Sequence, residues 1–456
     1  MKDKTEFNMY DTPQPVSAYL NQPLKCTCGR THYVPIKAVQ IRPGAIQATP
    51  ELVKKYGYQR PYILCDAITY QIAGAKLEEL LKDAGIESCV HVLTHLSFDE
   101  ATLGEIVVSI PKETDLMIGV GTGSITDMTR FSSYKLGLPC YTVATGAPMD
   151  GFAASIGILN VNNIKKTMPA HCTEVIIGDT DILSTAPYRM TVAGFGDLIG
   201  KLTCLNDWEL ARIIYQEHYC PKIAELVKTC VNDVLSKTEE IRRKEPSALG
   251  DVMRGLVLSG AAISLYGDSR PCSGAEHHIS HYWEAMKDQT GEKAAMHGEQ
   301  VAAGTVLVLM LAEQIRGLTP DFDKARKTWQ AFDEEAWEDE IRNAYGAAAQ
   351  EVINTAKADG RNDIALRLDR INKIEEHWEE IKAQLETLPS SETLRSILKD
   401  VGCPCTPEDV LVDRALVKNA LLYCKETRVR YTIFRMADDL AILNELTEEI
   451  LKRIYE

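Results

Sequence analysis

The sequence has no surplus of positive charge. Fifty Lys and Arg stand against 65 Asp and Glu, a formal net charge of -15. That balance argues against a protein that coats nucleic acid, whose phosphates would be repelled; a small anionic ligand, which feels only local charge, remains open. Apolar runs of bilayer length are also missing. The longest, GLVLSGAAISLYG (255–267) and VAAGTVLVLMLA (301–312), fall short of the roughly 20 residues a spanning helix needs, so no membrane insertion is expected. The opening MKDKTEFNMYDTPQP lacks the apolar core of a secretory signal. There is no tandem repeat and no low-complexity linker. The thirteen cysteines are odd in number and scattered from Cys26 to Cys424, unlike the even framework of a small secreted domain. A reduced, cytoplasmic protein with mostly buried thiols is the expectation. What is present is ordinary for a folded chain, 45% hydrophobic and 25% charged residues, and its length suits two large domains or three smaller ones.

The first third alternates strands and helices. PYILCD (61–66), SCVHVLT (88–94), LMIGV (116–120), LPCYTVAT (138–145) and TEVIIGD (173–179) are short apolar runs, and YQIAGAKLEELLKDAG (70–85) between the first two has helical spacing. Strands separated by helices predict βαβ units and a largely parallel, Rossmann-like sheet. After about residue 180 helical periodicity takes over. Ile364, Leu368, Ile371, Ile374, Trp378, Ile381, Leu385 and Leu388 form one stripe on an expected long helix that Pro389 ends. The fold expected is an α/β domain, 1–175, followed by an all-α domain, 176–456. The first 45 residues read as an extension with a hairpin around Cys26–His32.

Three motifs bear on chemistry. GVGTGSITD (119–127) follows a strand and opens a helix. Gly121 and Gly123 permit close backbone approach to a phosphate, and the helix start offers free N–H groups; a plain tight turn is the alternative. Asp66, at the end of an earlier strand, suits either ribose hydroxyls or a helix cap. Four of the ten histidines, His277, His278, His281 and His297, lie within 277–297. His277 and His281 are spaced i, i+4 and share a helix face, which points to a metal or proton-transfer site without saying which rings take part. Asp197 in AGFGDLIGK, with Lys201 one turn later, is either a carboxylate for that site or an acidic residue at a helix start. Cys26, Cys28 and His32 in CTCGRTH are one ligand short of a closed zinc site, so a simple hairpin is preferred there.

Taken in order, GVGTGSITDMTRFSSYKLGLP, TGAPMDGFAAS, IIGDTDILSTAP, AGFGDLIGKLTCLNDWELA, SRPCSGAEHHISH, HGEQVAAGT and ALLYCKETRVRYTIFRMADDLAIL resemble the sn-glycerol-1-phosphate dehydrogenases, in particular their bacterial AraM-like branch. These belong to the superfamily of iron-containing alcohol dehydrogenases and dehydroquinate synthases. The resemblance spans about 60 to 440. It implies a dehydroquinate-synthase-like fold, NAD or NADP as cofactor, and one divalent metal per chain, zinc before nickel or iron. Asp197, His277 and His297 would be the metal ligands. Asp197, with Asp150 and His281, would also touch substrate, and His281 would help pass its proton. Gly121, Gly123, Ser124 and Asp127 would hold the pyrophosphate, and Thr145, Ala147 and Pro148 would line the nicotinamide. The family usually has Ser four residues after the Asp150 position; here that place is Ala154 and Ser155 follows, which leaves one cofactor contact open.

The activity implied is interconversion of sn-glycerol 1-phosphate and dihydroxyacetone phosphate by a homodimer. A carboxylate at Asp66 would disfavour the extra phosphate of NADP. Lys165, Lys166, Lys201 and Arg270 are candidates for the substrate phosphate. The competing readings are a dehydrogenase of unphosphorylated polyols, a dehydroquinate-synthase-like lyase, and a non-catalytic cofactor-binding protein.

Overall fold

The computed structural model describes residues 20–94, 98–161 and 164–456, with the backbone alone at 158, 160, 161 and 164–167. By its internal contacts the chain forms two units. One comprises Met1–Leu198 with Pro221–Ser269, the other Ile199–Cys220 with Arg270–Glu456.

The first unit is built on a six-stranded sheet. Its strands, in chain order after the short hairpin pair β1 (Leu24–Lys25) and β2 (Thr31–His32), are β3 (Ala38–Arg42), β4 (Pro61–Asp66), β5 (Cys89–Leu93), β6 (Leu116–Gly121) and β7 (Cys140–Ala144). A small antiparallel hairpin, β8 (Ile156–Val161) and β9 (Ile164–Pro169), precedes the sixth strand, β10 (Val175–Asp179). The spatial order is β3-β10-β7-β6-β4-β5, and every pairing is parallel. β4, β6, β7 and β10 are buried along their whole length. That is why they read as unbroken apolar runs, as strands covered on both faces do. β3 was expected to belong to an extension. It is instead an edge strand, pairing Ala38 to Arg42 with Val175 to Asp179. Half-buried and short, it carries alternating Val39/Ile41 and Ala38/Gln40 rather than a continuous run. β1 and β2 form the hairpin expected around Cys26–His32.

The sheet has one topological switch point. From β4 the chain moves outward to β5, then returns to the other side of β4 as β6 and continues to β7 and β10. Ligands of open parallel sheets bind in the crevice at such a point, beyond the carboxyl ends of the strands. The two strands that flank it end in Asp66 and Gly121.

The apolar stretch 255–267 proves to be the second half of a longer helix, Pro246–Tyr266. By length and composition alone this helix is long enough to cross a bilayer, but 83% of its most apolar window is buried inside the protein. It packs on helix Pro221–Leu235 and on β3.

In the second unit no strand occurs among the described residues; helices Ala275–Thr290 and His297–Arg316 pair closely, and shorter helices follow to Tyr455. The long helix expected over 364–388 is two, Ile364–Glu376 and Trp378–Glu386. His377, at φ -106° and ψ 16°, interrupts it. The hydrogen bonds His377 N–H to Lys373 and Ile381 N–H to His377 persist, so Ile371, Ile374, Ile381 and Leu385 remain on the buried side and the stripe survives the break.

Candidate active site

At the switch point the carboxyl end of β4 is shaped by Asp66. Its Oδ1 accepts the N–H groups of Ile68 (2.7 Å) and Thr69 (2.8 Å), and the Thr69 hydroxyl accepts the Asp66 N–H at 3.0 Å. Asp66 is therefore a helix cap. Only one carboxylate oxygen makes the cap, so the other can face a ligand; the two readings of this residue are compatible.

The carboxyl end of β6 runs through Thr122 into helix Gly123–Leu136, which starts with no side-chain cap and no acidic residue in its first turn. Its first N–H groups can therefore be satisfied by an anion. The glycines are demanded by space. A Cβ on Gly121 would lie 2.6 Å from the Ile125 Cβ, and one on Gly123 would lie 3.1 Å from the Met149 Cε. Ser124 is exposed. Asp127 is paired with the buried Arg130, which also donates to the Ala154 carbonyl. Thr145 N–H donates to the Gly121 carbonyl at 3.1 Å, tying the next loop to the glycine turn. Ala147 and Pro148 continue that loop. Gly194 faces it so closely that a Cβ there would lie 2.0 Å from the Ala147 oxygen. Ser155 stands half-buried at the end of this segment, its carbonyl accepting the Ala170 N–H.

Asp197 was expected near a helix start. It sits inside helix Tyr188–Tyr215 and is fully buried, because that helix begins earlier than the glycines around it imply. One ligand atom each from Asp197, His277 and His297 lies within 4.8 Å of the other two. Asp197 Oδ2 also accepts the Asp150 N–H at 2.9 Å. Asp150 Oδ2 in turn accepts the Ser259 hydroxyl at 2.7 Å.

His277 and His281 lie on helix Ala275–Thr290, and His297 opens the next. The three rings are 5.2 to 6.0 Å apart, with His281 stacked on His297 at 5.5 Å and 20°. Each expected ligand histidine has a carboxylate behind it. His277 Nδ1 is 2.7 Å from Glu276 Oε1, and His297 Nδ1 is 3.0 Å from Glu284 Oε1. A proton on each Nδ1 satisfies these bonds and leaves Nε2 with its lone pair for a metal, the usual support of a metal-ligating imidazole. Glu276 is itself fastened by the Thr203 hydroxyl at 2.6 Å and the Gly274 N–H at 2.7 Å. Burial acts to raise its pKa, yet these bonds and His277 hold it below the ordinary carboxylate range. One carboxylate oxygen and two imidazole nitrogens form a donor set suited to zinc, nickel or iron, with coordination positions left for substrate.

His281 Nδ1 is buried with no hydrogen-bond partner. Burial first, then the charge of Arg428, keeps this ring neutral at ordinary pH. Arg428 and Arg430 line a cavity of about 310 Å³ with Tyr215, Arg361, Arg370 and Arg435. Arg361, Arg370 and Arg435 are each engaged by carboxylates, and Arg430 donates to the Ser273 carbonyl at 3.1 Å. Of the basic residues expected to meet a phosphate, Arg270 is buried, with Nε on Glu217 and Nη2 on the carbonyls of Asp207 and Tyr431. Lys201 is fully buried one turn after Asp197. The side chains of Lys165 and Lys166 lie outside those described. Glu276, Glu284, Ser259, Arg428 and Arg430 were not anticipated. Adjacency in AEHH pointed to Glu276, and the doublet RVR (428–430) to the arginines; nothing local marks Glu284 or Ser259.

Comparison with known proteins bears on the family and the fold. Residues 40–187 match the family model described as iron-containing alcohol dehydrogenase. A protein of Halalkalibacterium halodurans named glycerol-1-phosphate dehydrogenase (NAD(P)+) is 30% identical over 416 residues, 90% of this chain and 94% of its own. One of the same name from Methanosarcina mazei is 34% identical over 249 residues, 55% of this chain and 68% of its own. Among solved structures, glycerol dehydrogenase from Schizosaccharomyces pombe superposes with a TM-score of 0.60 at 16% identity, covering 92% of this chain and 91% of that one. At that identity the likeness speaks for the fold.

Proposed function

The chain belongs to the glycerol-1-phosphate dehydrogenase family of the iron-containing alcohol dehydrogenases, and on that premise we propose that it interconverts sn-glycerol 1-phosphate and dihydroxyacetone phosphate with NAD or NADP. The observation that carries the proposal is the convergence of Asp197, His277 and His297 within 4.8 Å.

In this reading those three side chains hold one divalent metal, zinc before nickel or iron. When bound, the metal is a Lewis acid toward the substrate's secondary oxygen, and the nicotinamide exchanges hydride with the carbon that bears it. The chain supplies the rest. Gly121, Gly123, Ser124 and Asp127 receive the pyrophosphate at the helix start. Asp66 takes ribose hydroxyls with the oxygen its cap does not use. Thr145, Ala147, Pro148 and Ser155 line the nicotinamide side. Asp150 and His281 hold the polyol hydroxyls, and an imidazole nitrogen of His281 receives the hydroxyl proton as the alcohol is oxidised and passes it on. Arg428 and Arg430, which line the cavity of about 310 Å³, join Lys165, Lys166, Lys201 and Arg270 as candidate phosphate partners. Residues 1–175 then serve the nucleotide and, through Asp150, the substrate, and 176–456 the metal and substrate, in a cytoplasmic homodimer.

The deciding experiment is an anaerobic screen of the zinc, nickel and iron forms against both glycerol phosphate enantiomers and glycerol, following NADH. Turnover of sn-glycerol 1-phosphate with net NADH formation is the expected result. Preference for glycerol would turn the reading to a polyol dehydrogenase, and turnover without net NADH to a lyase. Through Asp66, NAD should serve at least as well as NADP; a strong NADP preference in steady-state kinetics would refute the ribose role of Asp66.

A further inference from the structure

Outside the Asp197 cluster one motif remains without a use. Cys26, Cys28 and His32 are one ligand short of a closed metal site. The fold brings the fourth. Cys220 immediately precedes helix Pro221–Leu235, and one ligand atom from each of Cys26, Cys28, His32 and Cys220 lies within 4.8 Å of all the others. We infer that these four side chains hold a structural zinc ion, a second metal distinct in chemistry and purpose from the one proposed at Asp197.

Four features support this. The donor set, three sulfurs and one imidazole nitrogen, is one of the standard closed zinc sets. With Zn–S near 2.3 Å and Zn–N near 2.0–2.1 Å, its tetrahedral edges are roughly 3.5–3.8 Å; Cys28 Sγ and His32 Nε2 stand 3.3 Å apart. The imidazole is pre-set for coordination. His32 Nδ1 lies 2.8 Å from the Leu265 carbonyl, to which it donates its proton, and Nε2 is left with its lone pair toward the cysteines. The turn of the hairpin carries two of the ligands. Cys26 and Cys28 are two residues apart, Cys26 N–H donates to the Arg30 carbonyl, and Gly29 folds the chain back at φ +86° with its N–H on the Cys26 carbonyl. Finally, no disulfide is formed among the described cysteines. Cys220 is fully buried and His32 nearly so, while Cys26 and Cys28 are half-buried; a thiolate as enclosed as Cys220 would need a cation beside it.

Four protein ligands leave no open position, so this ion would activate no substrate. Its work would be mechanical. β1 and β2 are two residues each, too short to hold a hairpin by themselves. The ion would fasten that hairpin to the start of helix Pro221–Leu235, and His32 would fasten it to the end of helix Pro246–Tyr266.

Cobalt substitution of the full-length protein reads the ligand type directly. Thiolate-bound Co(II) gives an intense sulfur-to-cobalt charge-transfer absorption in the near ultraviolet, and the Asp197 set, having no sulfur, cannot. The band should appear in the wild-type chain, persist in His297→Ala, and vanish in Cys28→Ser/Cys220→Ser. Zinc that resists dialysis against EDTA should be released by a mercurial thiol reagent. If the double cysteine variant does not fold, the wild-type chain alone decides. A wild-type protein, purified under reducing conditions, with no charge-transfer band and no mercurial-released zinc overturns the inference. So does peptide mapping that finds a native disulfide among Cys26, Cys28 and Cys220. Either result leaves the Asp197 reading intact, because turnover of sn-glycerol 1-phosphate is measured separately.

Discussion

Asp197, His277 and His297 contribute one oxygen and two nitrogens from three helices, whereas Cys26, Cys28, His32 and Cys220 contribute three sulfurs and one nitrogen from a hairpin and a helix start. The support behind the imidazoles differs as well. His277 and His297 each face a carboxylate, Glu276 and Glu284; His32 faces the neutral carbonyl of Leu265. A cluster with only three ligands must leave room for substrate, so its geometry cannot come from the ligands alone. Anionic partners orient its rings and raise their basicity. A cluster with four ligands closes on itself, and three thiolate charges make further anionic support unnecessary. If both proposed ions bind, the contrast shows how one chain would separate a reacting metal from a fastening one: donor softness and ligand number would divide the ions, and the outer partners would follow from that division.

Removing one ligand from each cluster tests the contrast most severely. His297→Ala should lose the Asp197-site metal and lower kcat/KM by more than about 100-fold, beyond the upper end of what a lost outer partner costs. Elemental analysis after dialysis, together with initial rates, measures both. Stoichiometric metal retained at that site by the variant would contradict the ligand assignment. Cys220→Ser should do the reverse, losing the thiolate-held ion while the other metal stays.

One step outward, Glu276→Gln keeps the shape but removes the charge that His277 Nδ1 faces. Metal affinity should weaken by about 10–100-fold, with turnover recovering as the metal concentration in the assay rises. A titration monitored by activity separates this from misfolding, which added metal would not repair. Unchanged affinity would mean that the carboxylate serves the fold through Thr203 and Gly274 instead, and the contrast with the His32 site would lose its physical basis.

How much of this could be read beforehand depends on how each residue signals. β4, β6, β7 and β10 are apolar on both faces and therefore visible as runs; β3 alternates and hides at the edge. The 364–388 stripe shows its period, but the change of backbone angles at His377 shifts no apolar residue off the face and leaves no mark in the periodicity. The crowding of His277, His281 and His297 is legible because histidine is scarce. Asp197, Glu276 and Glu284 are three among 65 acidic residues; adjacency to the histidines marks Glu276, nothing local marks Glu284, and for Asp197 only family resemblance could single it out. Cys220 is hidden for the same reason, being one of thirteen cysteines and remote from the other three in the chain. Local pattern reveals elements, while contacts between distant residues need the fold.

Farther from the metal the expected effects shrink and change kind. Asp150→Ala removes a carboxylate whose backbone N–H remains on Asp197, so metal content should hold while the KM for sn-glycerol 1-phosphate rises by roughly 10-fold or more, the scale of one charge-assisted hydrogen bond.

Ser259→Ala is gentler. The Ser259 hydroxyl donates to Asp150 Oδ2 at 2.7 Å, and Gly260 lets the helix come this near, since a Cβ there would lie 2.4 Å from the Asp150 carbonyl oxygen. Asp150 is half-buried, so water can replace the lost hydroxyl in part. The net cost should be about 1 kcal/mol, or roughly fivefold in KM, with kcat and metal content unchanged. That pattern would place Asp150 on the substrate's side of the site. A parallel fall in kcat and bound metal would instead mean that Ser259 and Asp150 act through Asp197, making Asp150 an outer partner of the oxygen ligand, as Glu276 and Glu284 are of the imidazoles, and the open cluster would be supported on all three of its ligands.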